Sequence, residues 1–177
     1  MGRRQAGAAA VHDEARRGAA EATYEEFVVA RSPALYRTAY LLTGQQADAE
    51  DLLQSALVKV YVGWRKVAAA RSPEAYARQV LVNSFVSGRR PARFTRERLV
   101  TSLPDRGADD VDPTDRLSIW PHVAALPPRQ RAVVVLRYYE SLSEVEIAAT
   151  LGCARGTVKS TASAALATLR TRMGETS

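Results

Sequence analysis

An all-α fold, two small helical domains joined by a flexible linker, is predicted by three features of the sequence. Apolar residues recur at helical spacing through most of the chain, as at Ala132, Val135, Leu136 and Tyr139, which stand at i, i+3, i+4 and i+7. Helix punctuation stands where such runs begin and end: Ser143 with Glu146 forms a capping box, and Gly152 is a stop that tolerates positive φ. Between the two periodic halves lies a proline-containing, aspartate-rich stretch with no sustained apolar period. A chain of 177 residues is long enough for two such domains, each with a modest core.

In chain order, residues 1–20 carry Arg3 and Arg4, but Asp13, Glu14, Arg16 and Arg17 interrupt any apolar core, so the stretch does not fit a secretory leader. It is expected as a disordered lead-in. The first domain, 21–95, opens with Tyr24, Phe27, Val28, Leu35, Ala39 and Leu42 at helical spacing, with Ser32 and Pro33 marking a break between two helices. Thr43 and Gly44 make a turn. A helix starting near Gln45 or Gln46 then buries Ala49, Leu52, Leu53, Ala56, Val60 and Trp64, leaving Asp48, Glu50, Asp51 and Gln54 on or beside its solvent face. Acids in a first turn complement the helix dipole, and that alone accounts for them.

Residues 67–72 form a short connector that includes Arg71, and Pro73 with Glu74 opens the next helix. Tyr76, Val80 and residues 82–85 give it apolar surface; Arg78, Arg89, Arg90, Arg93 and Arg96 give it charge. Asn83 is a poor mid-helix residue, so it either satisfies a buried partner or projects toward something it reads. The arginines either complement the helix end or, with Phe94 interleaved, track a nucleic-acid strand. Composition shifts at Pro91. Residues 96–116, with Asp105, Asp109, Asp110, Asp112 and Asp115, are the acidic linker, and 117–173 are the second domain.

That second domain reads as a short helix with Ile119, Trp120, Val123 and Leu126, then three helices in a helix-turn-helix. Pro127 and Pro128 start the first, the capping box starts the second, and Gly152 lets the chain turn into the third. On the third helix Val158, Ala162, Ala165 and Leu169 share one face, leaving Arg155, Thr157, Lys159, Ser160 and Ser163 outward. Small hydroxyls allow close approach to a major groove, and the cations neutralise phosphates or read base edges.

The formal net charge of +6 fits an anionic partner. No apolar run approaches the roughly 20 residues that span a bilayer, so direct membrane insertion is not expected and the protein is read as cytoplasmic. Cys153 is the sole cysteine, which excludes an internal disulfide. His12 and His122 lie in different segments, and no glycine falls in a phosphate-loop pattern. No catalytic residue, metal, cofactor or small-molecule substrate is expected, and the chain is not read as an enzyme.

The order of a basic helical half, an acidic linker and a C-terminal helix-turn-helix resembles the bacterial RNA polymerase sigma factors of the extracytoplasmic-function type, in the sigma-70 family. LYRTAYLLTGQQADAEDLLQSALVKVYVGW is similar to the family's region two, and LPPRQRAVVVLRYYESLSEVEIAATLGCARGTVKS to its region four. PEAYARQVLVN points to the actinobacterial SigE-like subgroup. The resemblance implies a factor that binds core polymerase and directs promoter recognition, melting and initiation. Asp48, Glu50, Asp51 and Gln54 would dock on the polymerase. Residues 67–72, with Arg71, and Asn83 would capture bases of the minus-ten element while Arg78, Arg89 and Arg90 hold its backbone. Arg155, Thr157, Lys159, Ser160 and Ser163 would enter the minus-thirty-five element. An anti-sigma factor is a further partner implied. Ala154 departs from the family's usual serine at the start of the last helix. The alternative is a stand-alone helix-turn-helix regulator, which would bind duplex DNA specifically without polymerase.

Overall fold

A computed structural model describes residues 3–88 and 113–174, with side chains from residue 23 in the first stretch and from residue 119 in the second. Arg89, Arg90 and the linker up to residue 112 lie outside the described residues. The described chain is helical: α1 (Arg3–Thr43), α2 (Gln46–Val62), α3 (Trp64–Ala68), α4 (Pro73–Val86), α5 (Pro113–Ala124), α6 (Pro128–Val134), a π-turn (Val135–Tyr139), α7 (Glu144–Leu151) and α8 (Arg155–Gly174).

Helix α1 begins at Arg3, within the stretch expected as a lead-in. One expectation for this helix is corrected: the chain does not break at Pro33, which lies inside α1. A mid-helix proline costs about 3 kcal/mol, and packing on both sides of it offsets the loss. Before it, Tyr24 and Phe27 set their rings against Trp64, with centroids 5.3 and 5.1 Å away. After it, Leu35, Ala39 and Leu42 are buried. Gly44, at φ 78°, reverses the chain, and α2 runs back along α1, with the Tyr24 hydroxyl donating to the Leu57 carbonyl at 3.0 Å.

Gly63 separates α2 from α3, so Trp64 belongs to a short helix of its own. Val67 is 1% exposed, which removes it from the connector and leaves residues 69–72 as the exposed loop. Ser72 then caps α4, accepting from the Ala75 amide, with Pro73 in the first turn, where its missing N–H costs nothing. Likewise α5 opens at Pro113, so the last linker positions, 113–116, are helical.

The second half keeps its predicted punctuation. Ser143 Oγ accepts from the Glu146 amide while the Glu146 carboxylate accepts from the Ser143 amide, and Gly152 sits at φ 61°, ψ 41°. The helix between Pro128 and Tyr139 departs from a single buried stripe: residues 132–136 are all buried. It lies between the two halves, touched by α8 and α5 on one side and by α1 and α4 on the other. Its last turn widens so that the Glu140 amide donates to the Val135 carbonyl, five residues back, at 3.1 Å. Ser141 follows at φ 55°, and the Leu142 amide closes the end by donating to the Leu136 carbonyl at 2.9 Å.

The two halves therefore pack on each other, and among the described residues their apolar side chains form one continuous core. Among the described residues, the polar ties that cross the junction include the following. Arg131 Nη1 donates to the Leu42 carbonyl at 2.8 Å, Thr38 Oγ1 to Glu140 Oε1 at 2.9 Å and Gln79 Nε2 to the Ala149 carbonyl at 3.2 Å. Arg78 Nε lies 3.8 Å from Glu140 Oε2.

Candidate functional site

Three surfaces carry the predicted site residues. The first is the outer face of α8. Val158, Ala162, Ala165 and Leu169 anchor this helix in the core, and the 3.6-residue period then turns Arg155, Thr157, Lys159, Ser160 and Ser163 outward, where all five are exposed. The left-handed turn at Gly152 aims the helix. Its amide start is set by the Ala154 carbonyl, which accepts from Val158 at 3.2 Å, while the Ala154 side chain has no oxygen to cap the first turn. Ser160 Oγ donates back to the Thr157 carbonyl at 3.1 Å, so that hydroxyl lies against the helix with its lone pairs free to accept.

The electrostatics of this face include a residue that the sequence reading missed. Glu144, at the start of α7, accepts from Arg137 Nη1 at 3.2 Å through Oε1. Its Oε2 lies 3.9 Å from Arg155 Nη2 and 3.8 Å from Lys159 Nζ. One carboxylate, 22% exposed, thus faces three cations, of which Arg155 and Lys159 are 63% and 64% exposed. Glu144 is separated by 11 and 15 positions from the two cations of α8, and no periodicity relates it to them. Only the helix-turn-helix fold brings them together.

The second surface is the solvent face of α2. Glu50, Asp51 and Gln54 are exposed there, with Gln46 Nε2 donating to Glu50 Oε1 at 3.0 Å; Asp48 is half-buried. The face continues toward the helix end through Val58 and Val62, 63% and 83% exposed, which stand at helical spacing from Asp51 and Gln54. Sequence reading missed these two valines as surface. Their β-branched apolar character reads as core, and exposure is decided by where α1 and α4 leave α2 uncovered.

The third surface is divided. Arg71 is exposed in the loop before α4, and Asn83 is half-buried on α4. Arg78 is not a free surface residue: its side chain is 17% exposed, with Nη2 donating to Glu74 Oε1 at 3.1 Å and Nε facing Glu140 of the other half. Glu74 is shared in turn with Arg31, 3.0 Å away. A cation expected to meet DNA thus faces the protein's own carboxylates, one a turn away on α4 and one just after the π-turn of the other half.

No group of three or more His, Cys, Asp or Glu side chains that could hold a metal ion occurs among the described residues. No described helix is long and apolar enough to cross a membrane. Cys153, expected to be a small apolar residue of the turn, is half-buried against the core.

Comparisons with known proteins agree on the family of the chain. Residues 27–95 match the family model described as Sigma-70 region 2, and residues 123–169 the model described as Sigma-70, region 4. The chain is 44% identical over 149 residues to the RNA polymerase sigma-E factor of Streptomyces avermitilis, covering 83% of each protein. It is 36% identical over 149 residues to the ECF RNA polymerase sigma factor SigL of Mycobacterium tuberculosis, covering 80% of this chain and 83% of that protein. Among solved structures, it shares its fold with the sigma factor RpoE from Bartonella quintana, crystallised with the anti-sigma factor NepR. The TM-score is 0.63 at 23% identity, over 86% of this chain and 97% of that one. With region two preceding region four, and with relatives matched over most of their length, the chain belongs to the sigma-70 family of RNA polymerase sigma factors, in its extracytoplasmic-function group.

Proposed function

We propose that this sigma factor divides its work among the three surfaces just described. The exposed face of α2, with Glu50, Asp51 and Gln54 and the flanking Val58 and Val62, docks on core polymerase. Arg155, Thr157, Lys159, Ser160 and Ser163 of α8 enter the major groove of the minus-thirty-five element. The loop with Arg71 and the face of α4 with Asn83 receive unstacked bases of the minus-ten element, with Arg78, Arg89 and Arg90 holding its backbone. Asp48, half-buried beside them, belongs to the same docking set. The chain itself catalyses nothing in this role; it works in the cytoplasm, and an anti-sigma factor restrains it.

The observation that carries the reading is the exposed basic and hydroxylic face of α8, aimed by the Gly152 turn and held by the buried face of Val158, Ala162, Ala165 and Leu169. Small hydroxyls flanked by cations suit close approach to a duplex. The pairing of Arg78 with Glu140 adds a condition: its own contact with the minus-ten backbone needs the halves to part, so that Arg78 exchanges Glu140 for phosphate.

The test is run-off transcription with core polymerase lacking any sigma factor, on promoter-containing fragments of the source genome. Defined transcripts that require this protein are expected, and they fall when Asp51 or Lys159 is replaced by alanine. Specific duplex binding by the protein alone, with no transcript, would favour the stand-alone regulator instead.

A further inference from the structure

We propose that Glu144 sets the sequence specificity of the α8 surface by withholding positive charge from it. The inference deepens the proposed role of α8 and rests on that role. Its basis is the arrangement of four side chains. Glu144 Oε1 takes a hydrogen bond from Arg137 at 3.2 Å, and Oε2 lies 3.8 and 3.9 Å from Lys159 and Arg155. The carboxylate is mostly buried, whereas the α8 cations are about two-thirds exposed, so it sits behind them on the protein side. There it subtracts one charge from the cluster and biases the direction of both flexible cations without blocking their access to DNA.

Both effects act against indiscriminate binding. Affinity for arbitrary duplex comes almost entirely from phosphate neutralisation, and each cation engaged contributes about 0.9 to the slope of log affinity against log salt. A cation sharing a carboxylate contributes less. Side chains held near one carboxylate also reach fewer alternative phosphates than free ones, whereas a bidentate or groove contact at the cognate site uses one direction only. Glu144 therefore lowers non-specific affinity more than specific affinity. Ser143 caps α7 through its own side chain and the Glu146 amide, so the cap does not depend on the Glu144 carboxylate.

The experiment measures binding of the full chain, wild type and Glu144→Gln, to two labelled duplexes by fluorescence anisotropy across a salt series. One duplex carries the upstream element of a promoter that the protein transcribes, and the other is its scramble. For Glu144→Gln, affinity for the scramble is expected to rise roughly 3- to 10-fold near 0.1 M salt, with a salt slope steeper by about one. The ratio of cognate to scrambled affinity falls at least about threefold. Glu144→Asp, which keeps the charge, should retain the wild-type slope; a purely structural role would not separate the two variants in this way. An unchanged or shallower slope for Glu144→Gln, or an unchanged ratio, overturns the inference. Lys159→Ala distinguishes the two levels. If it weakens binding to both duplexes while Glu144→Gln is silent, only the role of Glu144 fails; if Lys159→Ala is itself silent, α8 is not the DNA face and both readings fail.

Discussion

Replacing Arg131 by alanine should cost the protein about 3 kcal/mol and loosen its two halves. Arg131 lies on α6, in the C-terminal half, yet its Nη1 donates to the Leu42 carbonyl in the last turn of α1, at 2.8 Å. That carbonyl is among those that a helix end leaves without an intrahelical partner, at the negative end of the dipole. Nη2 donates to the Leu126 carbonyl at 3.1 Å, and the guanidinium carbon stands 5.6 Å from the centre of the Phe85 ring on α4. A hydrogen bond from a charged donor contributes about 1.5–3 kcal/mol net, and a partly desolvated cation over an aromatic ring about 1 kcal/mol. Against this, Nε has no hydrogen-bond partner and burial lowers the guanidinium's pKa from its ordinary value. The balance is about 3 kcal/mol, a large part of a domain's usual 5–15. Urea unfolding measures it, with Arg129→Ala at an exposed position of the same helix as the control, expected within about 0.5 kcal/mol of wild type. Arg131→Lys, able to reach one carbonyl, should recover roughly half. A loss below about 1 kcal/mol for Arg131→Ala, equal to that of Arg129→Ala, would refute the view that this guanidinium ties the halves.

Two further outcomes follow from local geometry. Ser141→Gly should stabilise the protein by about 0.5–1 kcal/mol, because a β-carbon at φ 55° costs about 1–2 kcal/mol and glycine's extra unfolded-state freedom returns only part of it; calorimetry showing no gain would mean that the serine side chain contributes a compensating contact. The Glu146 carboxyl is held below its ordinary value of 4.5, chiefly by the Ser143 hydroxyl and then by the Ser143 amide. A depressed acid stabilises the fold above its unfolded pKa and loses that contribution as pH falls through the folded one. The melting-temperature gap between wild type and Glu146→Gln, which keeps a neutral capping partner, should therefore be widest near neutrality and close as pH drops below about 4.5. A gap that stays constant with pH would show that ionisation of Glu146 is not what the cap uses.

Where the chain was legible, local chemistry decided the outcome. The capping box, the Gly152 turn and the buried face of α8 each depend on residues within a few positions of one another, so hydroxyl, carboxylate, glycine and apolar period are sufficient to read them. The outward set from Arg155 to Ser163 follows from that same period. Pro33 misled because a proline's local cost is readable while the packing of Tyr24, Phe27 and Leu35 that offsets it is spread over α2 and α3. Residues 132–136 misled in the opposite way. A one-sided stripe is what a surface helix shows, and this one is covered on both sides only because the halves meet on it.

By itself, then, the sequence determined the helical class, the order of a basic half and a helix-turn-helix, the family, and which residues of α8 face outward. These are consequences of spacing along a single helix or turn. The tertiary structure decided the pairing of Arg78 with Glu140, the capping of α1 by Arg131, the exposure of Val58 and Val62, and the meeting of Glu144 with Arg155 and Lys159. The pairings join groups on different elements and the exposure of the valines depends on which elements leave α2 uncovered, and no rule of spacing relates them. They exist because burying one continuous apolar core brings the elements into contact, and the polar side chains at the junctions take whatever partners that contact supplies.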